Sequence, residues 1–369
     1  MRLLPQHLVP HLRHQPPAPS APHPPRDPGG TVVTDTLPDV STAPALPRAR
    51  GPLSEAVLSR LRGGALPVVD VAGADPWGED LQLALYTCYE LHYRGFAGVD
   101  DDLEWDPALL GLRAGLEREF AAAVRAAVPG GDDLAGEIAA LVAADDGEGG
   151  VSHHLRETGE PWQFREYIAM RSVYHLKEAD PQAWVIPRLE GAAKAALVTV
   201  EHDEYGAGRG ERMHARLFGD MMLELGLSDA YGAYLDHAPA EVLAEVNLMS
   251  MFGLHRKLRG ALVGQFAVVE LTSSPGSKRL VDAARRLDLG PATEHFYAEH
   301  VEADAVHEQV VRHGIIEPLV AEDPAMAADV VFGMQAATAL DERLGRHLMA
   351  TWAERRSALL VPLDADAHR

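Results

Sequence analysis

The sequence contains a single cysteine, Cys88, among 369 residues. This scarcity excludes a disulfide within the chain and any zinc site built from several cysteines, and it is typical of a reducing cytoplasm. Long hydrophobic runs are also missing, since the longest, Ala261 to Val269, is too short to span a bilayer and contains Gln265. The N-terminal residues lack the continuous apolar segment of a secretory signal. We therefore expect a cytoplasmic protein with no membrane-spanning segment.

Basic residues are few relative to acidic ones. The chain has 33 Lys and Arg against 55 Asp and Glu, for a formal net charge of -22. An acid excess of this size repels phosphate backbones and anionic membrane surfaces, so we expect neither a nucleic-acid nor a membrane partner. Solubility is the simplest explanation of the charge. We also find no internal repeat and no Gly-rich phosphate loop.

Composition divides the chain into three parts. Residues 1–50 are rich in Pro, His and Ala, as in the stretch 16–25, and cannot bury a core, so we predict a disordered tail. Residues 51–150 are predicted to form an N-terminal helical extension that packs on the core or covers a pocket mouth. Residues 151–363 are predicted to form the main domain.

Apolar residues recur mostly with helical spacing, which predicts an all-α fold. A period-2 pattern appears only at Leu66–Val71. Breaks are expected where Gly and Pro cluster, notably at Ser273–Gly276 and Pro318. The predicted helices are 54–61, 80–93, 107–128, 132–144, 162–174, 187–203, 212–225, 241–252, 255–272, 277–287, 292–314 and 325–356.

One segment combines two imidazoles with a carboxylate on a single helical face. His300, Asp304 and His307 stand at positions i, i+4 and i+7, which fall within about 60° of one another at roughly 100° per residue. This ligand set suits iron, and also manganese or zinc. The simpler alternative is a solvated helix face, so the interpretation depends on matching ligands elsewhere.

Such ligands lie upstream. Glu211 and His214 have the Glu-x-x-His spacing that brings both side chains to one helix face, as Asp304 and His307 also do. Glu204 and Glu178 are further carboxylates. On sequence alone the simpler interpretation of Glu178 is a surface acid near a helix end, and a helix-end acid is an alternative for Glu204. Taken together, these residues are a sufficient ligand inventory for two iron ions on three or four helices.

Two of these motifs resemble a known family. The stretch Glu204-Tyr-Gly-Ala-Gly208, followed by His214, is similar to a motif of the haem-oxygenase-like di-iron oxidases and oxygenases. The triad of His300, Asp304 and His307 resembles the second metal-binding motif of the same family.

The resemblance extends over roughly Trp162 to Trp352. Glu178, which precedes Glu204 by 26 positions, matches the spacing of the first-helix glutamate of the family. The segment His255–Ser273 is similar to its inner helix. The chain thus looks like the bacterial proteins described as iron-containing redox enzymes.

The resemblance implies a haem-oxygenase-like helical bundle, here with extra N-terminal helices, that holds two iron ions in place of haem. By analogy it implies six ligands, namely Glu178, Glu204, His214, His300, Asp304 and His307. Family members that oxygenate nitrogen carry one more carboxylate seven residues after the second glutamate, and Glu211 has this spacing. Glu204, as the bridge between the ions, and Glu211 are accordingly the residues expected to take part in the chemistry.

The resulting prediction is a non-haem di-iron oxidase or oxygenase that uses O₂ on a small organic substrate, by N-oxygenation, desaturation or oxidative C–C cleavage. An electron donor is compatible with this chemistry, and a homodimer is the default expectation because dimers are the commonest oligomers. The alternatives are a helical metal-binding protein without turnover and a ferritin-like carboxylate-bridged oxidase. Met249, Met251, Phe252 and Phe266 are candidates for the pocket lining, or else plain core.

Overall fold

The computed structural model of the chain describes residues 43–145 and 149–363, without the side chains of residues 144, 145 and 302–305. Most of the predicted tail, residues 1–42, lies outside the described residues. Residues 43–50, at the end of that predicted tail, have no secondary structure, and Arg48 pairs with Asp236 at 3.1 Å.

All regular elements in the described part of the chain are helices, so the predicted all-α class is confirmed. Leu66–Val71, where the sequence has a period-2 pattern, forms an irregular segment. In chain order the helices are α1 (Pro52–Leu61), α2 (Glu79–Glu90), α3 (Pro107–Ala127), α4 (Leu134–Asp145), α5 (Val151–Glu157), α6 (Pro161–His175), α7 (Asp180–Ala183), α8 (Gly191–Glu204), α9 (His214–Glu224), α10 (Ala240–Leu254), α11 (Arg259–Leu287), α12 (Pro291–Gln309), α13 (Glu317–Glu322) and α14 (Met326–Ala353).

Local chemistry explains where α3 begins. Asp106 caps α3, because its Oδ1 accepts hydrogen bonds from the amides of Ala108 and Leu109, both at 2.9 Å, and Pro107 occupies the first turn. None of the described helices has both the length and the apolar character needed to cross a membrane.

The break predicted at Ser273–Gly276 is wrong. Helix α11 continues through Pro275, although proline removes one intrahelical hydrogen bond. Tertiary contacts hold the two halves of α11 in place. Ser274 Oγ donates a hydrogen bond across to the carbonyl of Val301 on α12 at 3.2 Å, and Leu271 and Leu280 are buried on either side of the proline.

The break predicted at Pro318 is also displaced. After α12 the chain continues as a π-helix over Val310–Ile316 and then as α13, so helical structure ends at Glu322. Pro318 lies in the first turn of α13, where a missing amide proton is best tolerated. The predicted helix 212–225 starts later than expected, at His214.

Helix α11 is the centre of the fold, and it packs mainly against α12 and α14. Two glycines allow α11 and α14 to approach closely. A Cβ at Gly264 would overlap the carbonyl oxygen of Val330, and a Cβ at Gly333 would overlap that of Ala261. The crossing of α11 and α14 therefore requires glycine on both helices.

We expect Gly333→Ala to lower the free energy of unfolding by at least about 1–3 kcal/mol, because the added methyl group forces α11 and α14 apart. Gly111→Ala is the matched control. Gly111 is exposed on α3 with open space around it, so alanine should raise stability by about 0.5–1 kcal/mol. Urea unfolding measures both values. Equal stability of Gly333→Ala and the unaltered protein would contradict the close crossing.

Candidate metal centre

Three of the acidic and histidine side chains of interest lie at or just beyond the ends of helices. Glu178 is in the turn that follows α6, where Ala179 adopts a left-handed conformation with φ 72°. Glu204 is the last residue of α8, and His214 is the first residue of α9. The link between Glu204 and His214 reverses direction through Gly206 and Gly208, whose φ values of 70° and 80° favour glycine. His300 and His307 both lie on α12.

Glu178, His214 and His300 form the first group of converging ligand atoms, all within 4.8 Å of one another. His300 Nδ1 donates a hydrogen bond to the carbonyl of Phe296 at 2.8 Å. This bond sets the tautomer, so that Nε2, which lies 3.8 Å from Glu178 Oε1, presents its lone pair to the group. The rings of His214 and His300 have centroids 4.4 Å apart.

Glu204, Glu270 and His307 form the second group, also within 4.8 Å. His307 Nδ1 lies 3.2 Å from Glu270 Oε2, and His307 Nε2 lies 3.3 Å from Asp203 Oδ2 on the other side of the ring. An imidazole between an outer carboxylate and an inner ligand group is the usual arrangement of metal-binding histidines.

Glu204 lies between the two groups. Its Oε2 is 2.7 Å from His214 Nδ1 in the first group, and its Oε1 is 3.8 Å from His307 Nδ1 in the second. Each carboxylate oxygen therefore faces a different group, which is the geometry required of a bridging ligand.

The donor atoms fit metal cations. His214 Nδ1 and Glu178 Oε2 are buried and have no hydrogen-bond partner among the described residues. The 2.7 Å approach of His214 Nδ1 to Glu204 thus lacks the direction of a hydrogen bond. Buried polar atoms normally have partners, and three buried carboxylates need compensating positive charge. Imidazole and carboxylate donors together are typical of iron, manganese and zinc sites.

Two further titratable groups adjoin the centre. Burial raises the pKa of Glu201 to about 9, so this carboxyl is neutral at pH 7, and neither of its oxygens has a hydrogen-bond partner among the described residues. Burial lowers the pKa of His175 to about 4, which keeps its ring neutral. His175 stacks on Phe218 with ring centroids 4.8 Å apart.

The structure brings together five of the seven residues that the sequence indicates, namely Glu178, Glu204, His214, His300 and His307. Asp304 lies on α12, but its side chain is outside the described part of the chain. Glu211 is exposed in a 3₁₀ turn over Gly210–Arg212 and does not share a helix with His214.

Glu270 is a candidate ligand that the sequence analysis did not identify. It lies on α11, which reads as an apolar inner helix, and a buried acid within such a stretch was the available signal. Asp203 was also missed, because an exposed acid at a helix end has no distinctive pattern.

A cavity of roughly 670 Å³ opens beside the metal centre. Glu178, Glu204, Glu270 and His300 contribute to its wall. Of the four residues proposed for the pocket, Met249 and Phe266 line it, whereas Met251 and Phe252 are buried in the apolar core. The cavity therefore gives a small molecule access to the ligand groups.

Helix α2, from the N-terminal part of the chain, holds the turn that carries Glu178. Lys177, the residue before Glu178, is 1 % exposed, and its Nζ lies 2.7 Å from Glu90 Oε2 on α2. Tyr231 donates a second hydrogen bond to Glu90 at 2.7 Å, and the Lys177 ammonium lies 4.1 Å from the ring centroid of Tyr93. The ion pair is therefore fully enclosed.

We expect Lys177→Met to lower the free energy of unfolding by about 3–5 kcal/mol, because Glu90 would stay buried without its cation. Lys278→Met, at an exposed position of α11, should change stability by less than about 0.5 kcal/mol. Urea unfolding of the two variants tests the difference. A loss below about 1 kcal/mol for Lys177→Met would mean that Glu90 is not held by this pair.

Comparison with known proteins agrees with the geometry of the centre. No curated protein matches the chain. Residues 165–342, from α6 into α14, match the model of a family described as iron-containing redox enzymes. This stretch contains every residue of the two ligand groups. Over residues 165–342 the chain therefore belongs to the family of iron-containing redox enzymes.

Proposed function

We propose that this iron-dependent redox protein is a non-haem di-iron oxidase or oxygenase that uses O₂ to oxidise a small organic substrate. The observation that carries the proposal is the position of Glu204, with one oxygen toward each of two adjacent ligand groups. A single bridging carboxylate between two such groups is the arrangement of carboxylate di-iron proteins. Family membership supports iron as the metal.

Glu178, His214 and His300 would hold one ion, and Glu204, Glu270 and His307 the other. When bound there, two ferrous ions would supply electrons for the reduction of O₂. The chain itself fixes the imidazoles, through the hydrogen bond of His300 to Phe296 and the contact of His307 with Asp203. Met249 and Phe266 contribute apolar surface to the cavity beside these groups.

Asp304 and Glu211 belong to the proposal as further ligands. Asp304 is one helical turn from both histidines of α12, which is the spacing of a shared helix face. Glu211 would need the link 205–213 to rearrange, and the glycines of that link favour such a change. Glu204 and Glu211 are the carboxylates that we propose take part in the O₂-dependent oxidation of the substrate.

The proposed reaction needs a small-molecule substrate and O₂, and an electron donor would allow repeated turnover. N-oxygenation, desaturation and oxidative C–C cleavage are the reaction types under consideration. We place the protein in the cytoplasm as a homodimer without nucleic-acid or membrane partners, on the composition and charge of the sequence. A metal-binding protein without turnover is the second candidate, and a ferritin-like oxidase the third.

Iron analysis after anaerobic loading tests the proposal. We expect about two ions per chain, and about one in both His214→Ala and His307→Ala, because each variant removes the imidazole of one group. O₂ uptake should be lost in both variants.

His295→Ala, at an exposed position on α12, is the control and should keep both ions and the O₂ uptake. Two ions per chain in His307→Ala would refute the assignment. Full loading without O₂ uptake for any substrate would favour the protein without turnover.

Comparing Glu270→Gln with Glu211→Gln tests which carboxylate completes the second group. In the arrangement described, Glu270→Gln should weaken iron binding by roughly tenfold or more, because it removes a charged ligand next to His307. Glu211→Gln should leave affinity unchanged unless the link 205–213 moves. Titration of the apoprotein with Fe(II) measures both affinities. Weaker binding in Glu211→Gln alone would show that Glu211, and not Glu270, is the ligand.

A further inference from the structure

The cavity has a polar end that the metal groups do not use. Arg171 on α6 and Glu245 on α10 form an ion pair there, with Arg171 Nη1 2.9 Å from Glu245 Oε2. Asp341 on α14 lines the same cavity and is exposed. Asp341 makes no ion pair with Arg171, but it is near enough for its charge to act on both Arg171 and Glu245. Two carboxylates therefore lie near one guanidinium, and this end of the cavity has an excess of acid.

The ion pair has unused hydrogen-bonding capacity. Glu245 Oε1 is buried and has no hydrogen-bond partner among the described residues, and the Glu245 side chain is only 11 % exposed. Burial raises the pKa of Glu245 to about 7. A donor with positive charge placed beside Glu245 would give Oε1 a partner and balance the second carboxylate.

The polar end and the candidate metal ligands lie on the same cavity, whose wall is partly apolar. Arg171 and Glu178 both line the cavity, seven positions apart along α6 and the turn after it, which corresponds to roughly 10 Å at about 1.5 Å per residue. Met249 and Phe266 contribute apolar surface to the same cavity. A ligand that uses both ends needs an apolar arm of that length.

We propose that the cavity binds an organic cation whose protonated amine is anchored by Glu245 and Asp341, with its apolar arm directed toward Glu178. The inference that the end of the ligand near Glu178 reacts rests on the proposed function. The inference that Glu245 and Asp341 bind the amine rests on the polar end of the cavity alone. A carboxylate is disfavoured here, because it would meet two acids and a guanidinium already paired with Glu245. An ammonium group brings the site to two negative and two positive charges.

Binding of hexylamine, hexanoate and hexanol to the iron-loaded full-length protein tests the anchor. The three probes share an alkyl arm and differ in the charge of the head group. We expect calorimetric titration to detect hexylamine and to give at least tenfold weaker binding for the other two. Glu245→Gln and Asp341→Asn should each weaken hexylamine binding by about tenfold or more. Asp341 is exposed, so its variant tests the anchor even where loss of Glu245 perturbs folding.

Glu241→Gln is the control, since Glu241 lies one turn earlier on α10 and faces Arg343 at 3.8 Å. It should bind hexylamine as the unaltered protein does. Binding of hexanoate that is stronger than that of hexylamine would overturn the proposal. Unchanged hexylamine binding in Asp341→Asn would also overturn it, because the amine would then be held elsewhere, for example on the metal. The measured quantity is binding, so the two proposals can fail independently. If the protein binds hexylamine through Glu245 and Asp341 but never consumes O₂, the proposed function is refuted and the proposed amine site is not.

Discussion

The burial of three carboxylates beside three imidazoles is the constraint on which the rest of the structure depends. Glu178, Glu204 and Glu270 are each less than 10 % exposed, and together they would repel one another in a medium of low dielectric constant. Bound cations would compensate for this charge, and the family to which residues 165–342 belong supports iron as the metal.

The fold meets this constraint by bringing helix ends to one place around the central α11. The ends of α6, α8 and α9 present Glu178, Glu204 and His214, while α11 and α12 contribute from their middles. Contacts outside the ligand groups keep these ends in position. The Lys177–Glu90 pair ties the Glu178 turn to α2, and Tyr205 donates a hydrogen bond to Asp180 at 3.0 Å, which links the Glu204 segment to the same turn.

Sequence reasoning predicted the parts of this centre that depend on local spacing. The helical period predicted the all-α class, Asp106 was recognisable as a cap, and the spacing of His300 and His307 indicated one helix face. The role of Glu270 and the polar end at Glu245 were not predictable, because each depends on which residues of distant helices meet. Pro275 misled the prediction, since tertiary packing of α11 outweighs a local preference for a break.

Anomalous diffraction at the iron absorption edge, from crystals of the iron-loaded protein, is the most direct test of a dinuclear centre. We predict two peaks, one among Glu178, His214 and His300 and the other among Glu204, Glu270 and His307, with Glu204 between them. A single peak, or peaks remote from these residues, would contradict a dinuclear centre built by these two groups.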